Sequence, residues 1–344
     1  MVLRRLFHAW EHRLASVTTD RVVRPFEWGL DWIPDTGREA PFERLARWVD
    51  DVMADTDRFF AIDSTDEYTL SGGVLTFPSA LATPHPENNV VHARYFPAAT
   101  RRRDGARAGV VVLPQWNADP DGHVGLCRLI ARAGISALRL SLPYHDRRMP
   151  PELSRADYIV SSNVGRTVQV CRQAVLDVRR AVDWLVREGC GRIGILGTSL
   201  GSCLAMLAAA HEPRIRAAAL NHISPYFADV VWDGLSTRHV REGLEGHIDL
   251  QQLRRLWLPI SPQPYLDRMR RTRVLLVYAR YDLTFPVALS RRLVDEFRRT
   301  GVEHELAVLP CGHYSTGIAP FKWLDGLVLT RFLNRALRDS PAGR

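Results

Sequence analysis

The sequence has 344 residues, 46% of them hydrophobic and 24% charged, which is typical of a globular protein with enough chain for a large core. Its net charge is +8, but Lys322 is the single lysine, so 45 of the 46 basic residues are arginine, spread along the chain among acidic residues. This distribution indicates codon bias rather than a phosphate-binding patch, and we interpret Arg101, Arg102 and Arg103 as loop charge. We therefore expect no nucleic-acid partner.

The cysteine pattern and the N-terminal sequence predict a location in a reducing compartment. The five cysteines are scattered, without C-x-x-C or metal-binding spacing: Cys127, Cys171, Cys190, Cys203 and Cys311. Such a set indicates reduced thiols. Charged residues and histidines interrupt the first apolar run, so no secretory signal is predicted, and no stretch approaches the roughly 20 apolar residues of a membrane span. The expected location is cytoplasmic.

Residues 1–67 differ in texture from the rest of the chain. Apolar residues recur at helical spacing over 3–14 and over 42–52, and an aromatic, irregular link at 26–34 lies between them. We interpret the region as an N-terminal extension of two amphipathic helices packed on the main domain. The less favoured alternative is an arm that contacts a membrane surface or a second subunit, since the first helix has arginine on one side and aromatic residues on the other.

From residue 68 onward, strands alternate with helices. Strands are predicted at 73–77, 90–96, 109–113, 136–142, 192–196, 217–220, 274–278 and 305–309. Helices are predicted at 124–133, 164–188, 202–210, 286–299 and 320–337. The first two strands are expected to be antiparallel, and the alternation that follows predicts βαβ units and a mostly parallel sheet. Residues 222–270 interrupt the pattern and are interpreted as a helical insertion.

A serine between two glycines lies at one strand-to-helix junction. Gly197-Thr198-Ser199-Leu200-Gly201 has the G-x-S-x-G spacing of a nucleophile elbow, in which a tight turn lifts the serine hydroxyl off the sheet. The glycines allow close approach of neighbouring backbone, and the helix that follows directs its N-terminus at the same point. The pentapeptide alone is a weak signal, but its position between a buried strand and a small-residue helix sharpens it considerably.

The order of elements resembles the α/β-hydrolase superfamily over residues 68–338. Two antiparallel strands come first, then a buried parallel sheet, an elbow after the fifth strand and an insertion after the sixth. The resemblance implies an α/β fold with a mostly parallel eight-stranded sheet flanked by helices. It further implies that the insertion at 222–270 forms a helical cap, and that a catalytic triad follows the chain order serine, acid, histidine.

Two loops supply the acid and the histidine where the resemblance requires them. Asp282 lies after the strand that follows the insertion, and His313 follows the last strand in a Gly-His pair. Ser199 would then be the nucleophile, His313 the base that takes its proton, and Asp282 the group that orients and stabilises the imidazolium. Asp229 and Asp233 are competing acids, but they lie deeper in the insertion.

The resemblance also implies an oxyanion hole made by two backbone N–H groups. One is expected from Leu200 and the other from the loop after strand 109–113. That loop lacks the His-Gly pair or glycine run of lipases and many esterases, and Pro114 has no N–H to donate. Gln115 or Trp116 is therefore the expected second donor, and we favour Trp116.

Further polar residues follow neighbouring strands and are expected at the same sheet edge. His145, His222 and Tyr226 are candidates for substrate binding, with hydrogen-bonded loop residues as the alternative. Four arginines of the insertion are candidates for an anionic substrate, although a solvated helix face is favoured: Arg238, Arg241, Arg254 and Arg255. No third ligand accompanies His145 and Asp146 at regular spacing, so no metal or cofactor is expected.

The sequence therefore predicts a serine hydrolase that cleaves a small-molecule carboxylic ester through an acyl-enzyme. The pattern is similar to the dienelactone-hydrolase and acetyl-esterase branches of the superfamily. Two alternatives stay open: a thioesterase or peptidase with the same triad, as in relatives of prolyl oligopeptidase, and a non-catalytic protein that uses the capped pocket to bind a ligand. Oligomeric state has no signal in the sequence.

Overall fold

The computed structural model describes residues 2–34, 37–99 and 107–338, so the arginine run at 101–103 lies outside the described residues. Its strands are β1 (Thr69–Ser71), β2 (Val74–Pro78), β3 (Val90–Phe96), β4 (Ala108–Leu113), β5 (Ser136–Leu140), β6 (Arg192–Thr198), β7 (Ile215–Asn221), β8 (Arg273–Ala279) and β9 (His304–Leu309). Its α-helices are α1 (Val2–Ser16), α2 (Pro41–Ala54), α3 (Thr56–Phe59), α4 (Val124–Arg132), α5 (Val164–Arg187), α6 (Leu200–His211), α7 (Phe227–Asp233), α8 (Arg238–Leu244), α9 (Leu250–Leu256), α10 (Val287–Arg299) and α11 (Phe321–Ala336).

The strands form one sheet in the order β1-β2-β3-β5-β4-β6-β7-β8-β9. β1, β2 and β3 pair antiparallel with their neighbours, and the six strands from β5 to β9 in this order are parallel. The described sheet has nine strands where eight were predicted. The additional strand is β1, whose three residues are all exposed and so lack the apolar alternation by which half-buried strands are recognised.

Helices cover both faces of the sheet, as an α/β fold requires. β4 is buried along its whole length, with Val111 and Leu113 packing in the core beneath α5 and α6, and Val110 and Val112 in the core beneath α4 and α11. Because successive strand residues point to opposite faces, a continuous apolar strand of this kind supports two cores at once. The elbow strand β6 lies next to β4, at the centre of the parallel sheet.

The insertion at 222–270 is helical: a 3-10 segment at Leu235–Thr237 joins α7 to α8, and two more at Leu258–Ile260 and Gln263–Arg271 follow α9. It is fastened to the main domain by Trp257, which is fully buried, packs edge-on to Phe227 at 5.6 Å and donates its indole N–H to the carbonyl of Val164 at 3.2 Å. The insertion therefore packs onto the N-terminal end of α5, beside the carboxyl edge of the sheet.

Helix α1 packs on the domain through part of the predicted apolar stripe, whose Phe7, Trp10 and Leu14 are partly buried. Leu3 and Leu6 of the apolar stripe are 63% and 60% exposed, whereas Glu11 and Ala15 are buried. Phe7 stacks on an aromatic ring of the main domain, so the contact face runs through Phe7, Glu11 and Ala15. Within the described ranges no helix is long and apolar enough to cross a membrane.

Candidate active site

Ser199 lies at a sharp turn between β6 and α6, with φ 57° and ψ −120°. This backbone conformation is strained for a residue with a side chain and persists only where the surroundings enforce it. A Cβ on Gly197 would lie 2.1 Å from the carbonyl oxygen of Gly201, and a Cβ on Gly201 would lie 2.5 Å from the carbonyl oxygens of Leu113 and Pro114. Both glycines are therefore required for the turn to close.

Hydrogen bonds join the elbow to the end of β7. The Ser199 N–H donates to the carbonyl of Asn221 at 2.8 Å, and the hydroxyl of Ser202 lies 2.6 Å from the carbonyl oxygens of both Ser199 and His222. These contacts hold the strained serine and place the residue after β7 directly beside it.

Asp282 and His313 form a hydrogen-bonded pair at the same edge of the sheet. The carboxylate of Asp282 is buried, and its Oδ1 accepts the backbone N–H groups of Thr284 at 2.8 Å and Phe285 at 2.7 Å. Its Oδ2 lies 3.1 Å from Nδ1 of His313, whose ring stacks on that of Phe285. Since Nδ1 donates its proton to the carboxylate, Nε2 of His313 is the nitrogen left to accept one.

A second histidine shares the same carboxylate oxygen. Nδ1 of His222 lies 2.9 Å from Asp282 Oδ2, and the ring centres of His222 and His313 are 4.7 Å apart. Nε2 of His222 is buried and has no hydrogen-bond partner among the described residues. The residue was predicted as a substrate-binding group, and the structure places it on the acid of the predicted triad, a contact that its position in the sequence did not indicate.

The pKa values of Asp282, His313 and His222 are shifted in different directions, which gives each group a different protonation state. Burial opposes the charge on Asp282, but His313 and the two Nδ1–H donors outweigh it and hold the pKa of the carboxyl well below its usual range. Burial alone would lower the pKa of His313, yet the Asp282 carboxylate reverses the effect and raises it. For His222 burial dominates and the pKa is lowered. The arrangement thus favours a neutral His222 beside a proton-accepting His313.

Among the described residues, these same three are the group whose donor atoms lie close enough together to hold a metal ion, all within 4.8 Å of one another. Both imidazoles, however, direct Nδ1 at a single carboxylate oxygen, which is the geometry of hydrogen bonds to an acid. The donor arrangement is therefore that of a carboxylate orienting two histidines.

The predicted oxyanion donors line the same cavity as Ser199. Leu200 is the first residue of α6, where helix N–H groups have no partner within the helix, and Gln115 and Trp116 follow β4. The Trp116 indole donates to the carbonyl of Ala156 at 2.9 Å, and its ring stacks parallel to that of His239 at 5.6 Å. The loop is thus anchored through its side chain, with its backbone beside the elbow.

His145 holds this loop through a hydrogen bond to the backbone of Asn117. It is buried, its Nδ1 donates to the carbonyl of Pro143 at 2.9 Å, and its Nε2 accepts the N–H of Asn117 at 3.0 Å. Burial lowers its pKa to about 4, so it is neutral and able to accept that hydrogen bond. Both ring nitrogens of this predicted substrate-binding residue are therefore engaged within the protein.

The remaining candidates of the insertion contact other residues of the protein or are exposed. Tyr226 is not among the described residues that line the cavity, and its ring lies beneath the guanidinium groups of Arg254 and Arg292. Asp229 is fully buried and accepts from Arg254 at 2.9 Å, and Asp233 is exposed. Neither competing acid is hydrogen-bonded to a histidine. The other predicted arginines pair with acidic residues or are exposed: Arg241 with Glu245, Arg255 with Asp50, and Arg238 at the surface.

A cavity of about 1380 Å³ lies over the elbow. Its wall includes Ser199, His222 and His313, the loop after β4, and residues of the insertion and of α11. It also includes three residues of the N-terminal extension, Thr18, Asp20 and Arg21, which the sequence did not single out. This volume exceeds the roughly 300–1,000 Å³ of ordinary small-ligand pockets.

Comparisons with known proteins agree with the fold described above. Residues 169–322 match the prolyl oligopeptidase family (Peptidase_S9), whereas no curated protein matches the chain. The acylaminoacyl peptidase of Pyrococcus horikoshii superposes with a TM-score of 0.58 at 13% identity, covering 74% of this chain and 41% of that chain. Acetyl xylan esterase 1 from a Thermoanaerobacterium species gives 0.55 at 14% identity, covering 94% and 98%. An acetyl xylan esterase from a Paenibacillus species gives 0.56 at 16% identity, covering 89% and 97%.

The superpositions and the family match together assign the fold. The chain has the α/β-hydrolase fold, and its residues 169–322, which include Ser199, Asp282 and His313, match the prolyl oligopeptidase family. It spans about two fifths of the length of the acylaminoacyl peptidase and nearly the full length of both acetyl xylan esterases.

Proposed function

We propose that this protein hydrolyses carboxylic esters through a triad of Ser199, His313 and Asp282. The observation that carries the proposal is the strained elbow serine in the same cavity wall as His313, whose Nδ1 is held by the buried acid. A serine hydroxyl is a weak nucleophile until an adjacent base takes its proton. The raised pKa of His313 suits it to that task, because the Asp282 carboxylate stabilises the imidazolium that forms.

The reaction has two halves. His313 Nε2 takes the proton of Ser199 Oγ as the oxygen attacks the ester carbonyl carbon and forms a tetrahedral intermediate. The intermediate collapses, the carbon–oxygen bond to the alcohol breaks, and His313 returns the proton to the leaving alcohol. In the second half His313 removes a proton from water, the hydroxide attacks the acyl-enzyme, and the carboxylic acid leaves as Ser199 regains its proton.

The negative oxygen of each tetrahedral intermediate requires fixed donors. We assign the N–H of Leu200 and that of Trp116, or of Gln115 beside it, to this role. The N-terminal end of α6 adds a partial positive charge at the same point. Removal of one such donor costs enzymes of this kind about 100- to 1000-fold in kcat.

The coverage of the comparisons supports an ester over a peptide substrate. The two acetyl xylan esterases align over nearly their whole length, whereas the acylaminoacyl peptidase aligns over 41% of its chain. The match to the prolyl oligopeptidase family keeps peptide and acyl-amide cleavage as the second candidate, because the same triad performs both reactions.

The first experiment is labelling with a fluorophosphonate probe, which reacts with activated serines. The wild type is expected to label, and Ser199→Ala, His313→Ala and Asp282→Asn are expected to lose or greatly slow labelling. Asp229→Asn is the matched control, because Asp229 is an equally buried carboxylate of the insertion that binds Arg254. Labelling that depends on Asp229 rather than Asp282 would overturn the assignment of the acid.

The second experiment compares leaving groups at one acyl group. The enzyme that labels with fluorophosphonate is offered three acetyl compounds: p-nitrophenyl acetate, an acetyl thioester and p-nitroacetanilide. The proposal expects the highest kcat/KM for the ester, lost in Ser199→Ala. A higher kcat/KM for the anilide than for the ester would establish the peptidase alternative, and a protein that folds but neither labels nor turns over would be a ligand-binding protein.

A further inference from the structure

The N-terminal helix α1 places one acidic side chain directly beneath the loop that bears His313. Glu11 is the single acidic residue of α1 and is fully buried. Its Oε2 accepts the N–H of Tyr314 at 2.8 Å, and its Oε1 accepts the N–H of Ser315 at 3.0 Å and the Ser315 hydroxyl at 2.7 Å. The carboxylate thus binds the two backbone amides that immediately follow His313.

The residue before His313 is a glycine, and the absence of a side chain there leaves room for the Glu11 carboxylate. A Cβ on Gly312 would lie 2.3 to 2.5 Å from the carboxyl and methylene atoms of Glu11. The Ser315 hydroxyl in turn accepts the Gly312 N–H at 2.8 Å, so the turn closes on itself around the acid. Residues 312–315 are therefore folded about the side chain of Glu11.

Two further contacts hold α1 against this edge of the sheet. Phe7, one helical turn before Glu11, stacks on Tyr281 with ring centres 4.5 Å apart, and Tyr281 is the residue before Asp282. Arg21 donates to the Tyr314 hydroxyl at 2.9 Å and to the carbonyl of Ala15 at 3.0 Å. The extension thereby contacts both loops that carry the acid and the base.

Packing a helix through a buried carboxylate is energetically less favourable than packing it through an apolar side chain. Desolvating the charge is unfavourable unless hydrogen bonds replace the lost water, and an apolar side chain would pack with no such requirement. Glu11 satisfies its charge with backbone amides of one turn, and that turn carries the predicted base. A functional reason for burying this carboxylate follows if the hydrogen bonds of Glu11 determine the position of His313.

We propose that Glu11 is a positioning residue for catalysis, fixing the turn at 312–315 so that His313 stays on Asp282 with Nε2 toward Ser199. The inference rests on the proposed function. It also makes the N-terminal extension part of the catalytic machinery rather than an appendage, because removal of α1 would remove the acceptor of the Tyr314 and Ser315 amides.

The charge of Glu11 supplies a readout that packing alone would not affect. Burial lowers the pKa of His313, and the carboxylates of Asp282 and then Glu11 raise it. Other charged or titratable groups surround this turn: His8 on α1, Arg21 and the Tyr314 phenol to which it donates, His222 on the same acid, the thiol of Cys311, and the Asp325 carboxyl. Neutralising Glu11 therefore moves the acid limb of the kcat/KM profile to lower pH.

The test compares Glu11→Gln and Glu11→Asp with the wild type in the full chain. Tyr314 and Ser315 donate to different carboxylate oxygens, so the amide of Gln replaces one of the two acceptors by an NH2 group that can only donate. Asp retains the charge but is shorter by one methylene. We expect kcat to fall about 10- to 100-fold in both variants with KM within about twofold, as for a misplaced catalytic group. The acid limb is expected to shift only in Glu11→Gln.

Glu212→Gln is the matched control, because Glu212 is an equally buried carboxylate at the far end of α6 that pairs with Arg179 and Arg214. It is expected to lower the melting temperature and to leave kcat and the pH profile unchanged. Wild-type kcat in Glu11→Asp, or kinetic losses in the Glu11 variants no larger than those of Glu212→Gln, would overturn the proposal. If Glu11→Gln does not fold, Glu11→Asp alone decides it. A wild type that fails to label with fluorophosphonate would instead refute the proposed function.

Discussion

Gly201, the second glycine of the elbow, is so close to the backbone after β4 that the effect of Gly201→Ala on stability and activity can be estimated from interatomic distances. In Gly201→Ala the new Cβ would lie 2.5 Å from the carbonyl oxygens of Leu113 and Pro114, and ordinary contact begins at 3.4 Å. The backbone after β4 must therefore withdraw by about 0.9 Å from α6. This backbone continues into Trp116, so the displacement widens the proposed oxyanion hole.

Two opposing terms set the expected change in stability. Overpacking of a closed interior costs about 1–3 kcal/mol, and contact with backbone on both oxygens favours the upper end of that range. The higher helix propensity of alanine than of glycine offsets this loss by about 1 kcal/mol of folding free energy. We expect Gly201→Ala to lower the free energy of unfolding by about 2 kcal/mol, and a loop shift near 1 Å to lower kcat about 100-fold.

Urea unfolding and p-nitrophenyl acetate kinetics measure the two effects. Gly125→Ala is the control, since Gly125 also lies in the first turn of a helix, α4, but a Cβ there meets no atom within 4 Å. That variant is expected to be as stable as the wild type or more stable, with unchanged kcat. If Gly201→Ala behaves like Gly125→Ala in both assays, the close approach of the elbow to the β4 loop is not what the geometry indicates.

Three further predictions concern buried polar groups. Asp177→Ala leaves Arg148, which it contacts at 2.9 Å in the fully buried interior, without its counter-ion, and is expected to cost about 3–5 kcal/mol in urea unfolding, whereas a loss below 1 kcal/mol would contradict this. Asp325→Asn tests the pH dependence of stability. Burial raises the pKa of the Asp325 carboxyl to about 7, so the wild type loses stability as the pH rises from about 4 to 7 and this acid ionises in the folded state. The melting temperature of the variant is therefore expected to fall less between pH 5 and 8 than that of the wild type. His145→Ala removes the acceptor of the Asn117 N–H and is expected to lower kcat about tenfold with little change in KM; an unchanged kcat would show that the loop holds itself.

The parts of this protein that the sequence predicts are those determined by local pattern and chain order. The G-x-S-x-G spacing, the apolar strands and the alternation of elements place Ser199 at a strand end. Because parallel strands bring their carboxyl ends to one edge, the order of the loops then brings Asp282 and His313 together. The helices and strands of the main domain follow the periodic segments to within a few residues.

Contacts between distant, aperiodic segments were not predictable in this way. The sequence predicts His222 as a substrate-binding residue, and its hydrogen bond to Asp282 depends on the turn after β7, where its φ of 59° could not be predicted from the sequence. In the sequence, Glu11 is one of the charged residues that interrupt the first apolar run. The available signal was its place on the apolar stripe of α1, four residues after Phe7 and three before Leu14, where a charged residue requires a buried partner.

The bond between α1 and the turn that it supports has a consequence for folding. Glu11 and Ser315 are separated by 304 residues, so this contact closes a loop that encloses all nine described strands of the sheet. Contacts of such long separation form late, after local helices and neighbouring strands have reduced the remaining search. In a refolding experiment, secondary structure should therefore recover before the base is fixed in place, and reactivity of the elbow serine should report the last step of assembly rather than the first.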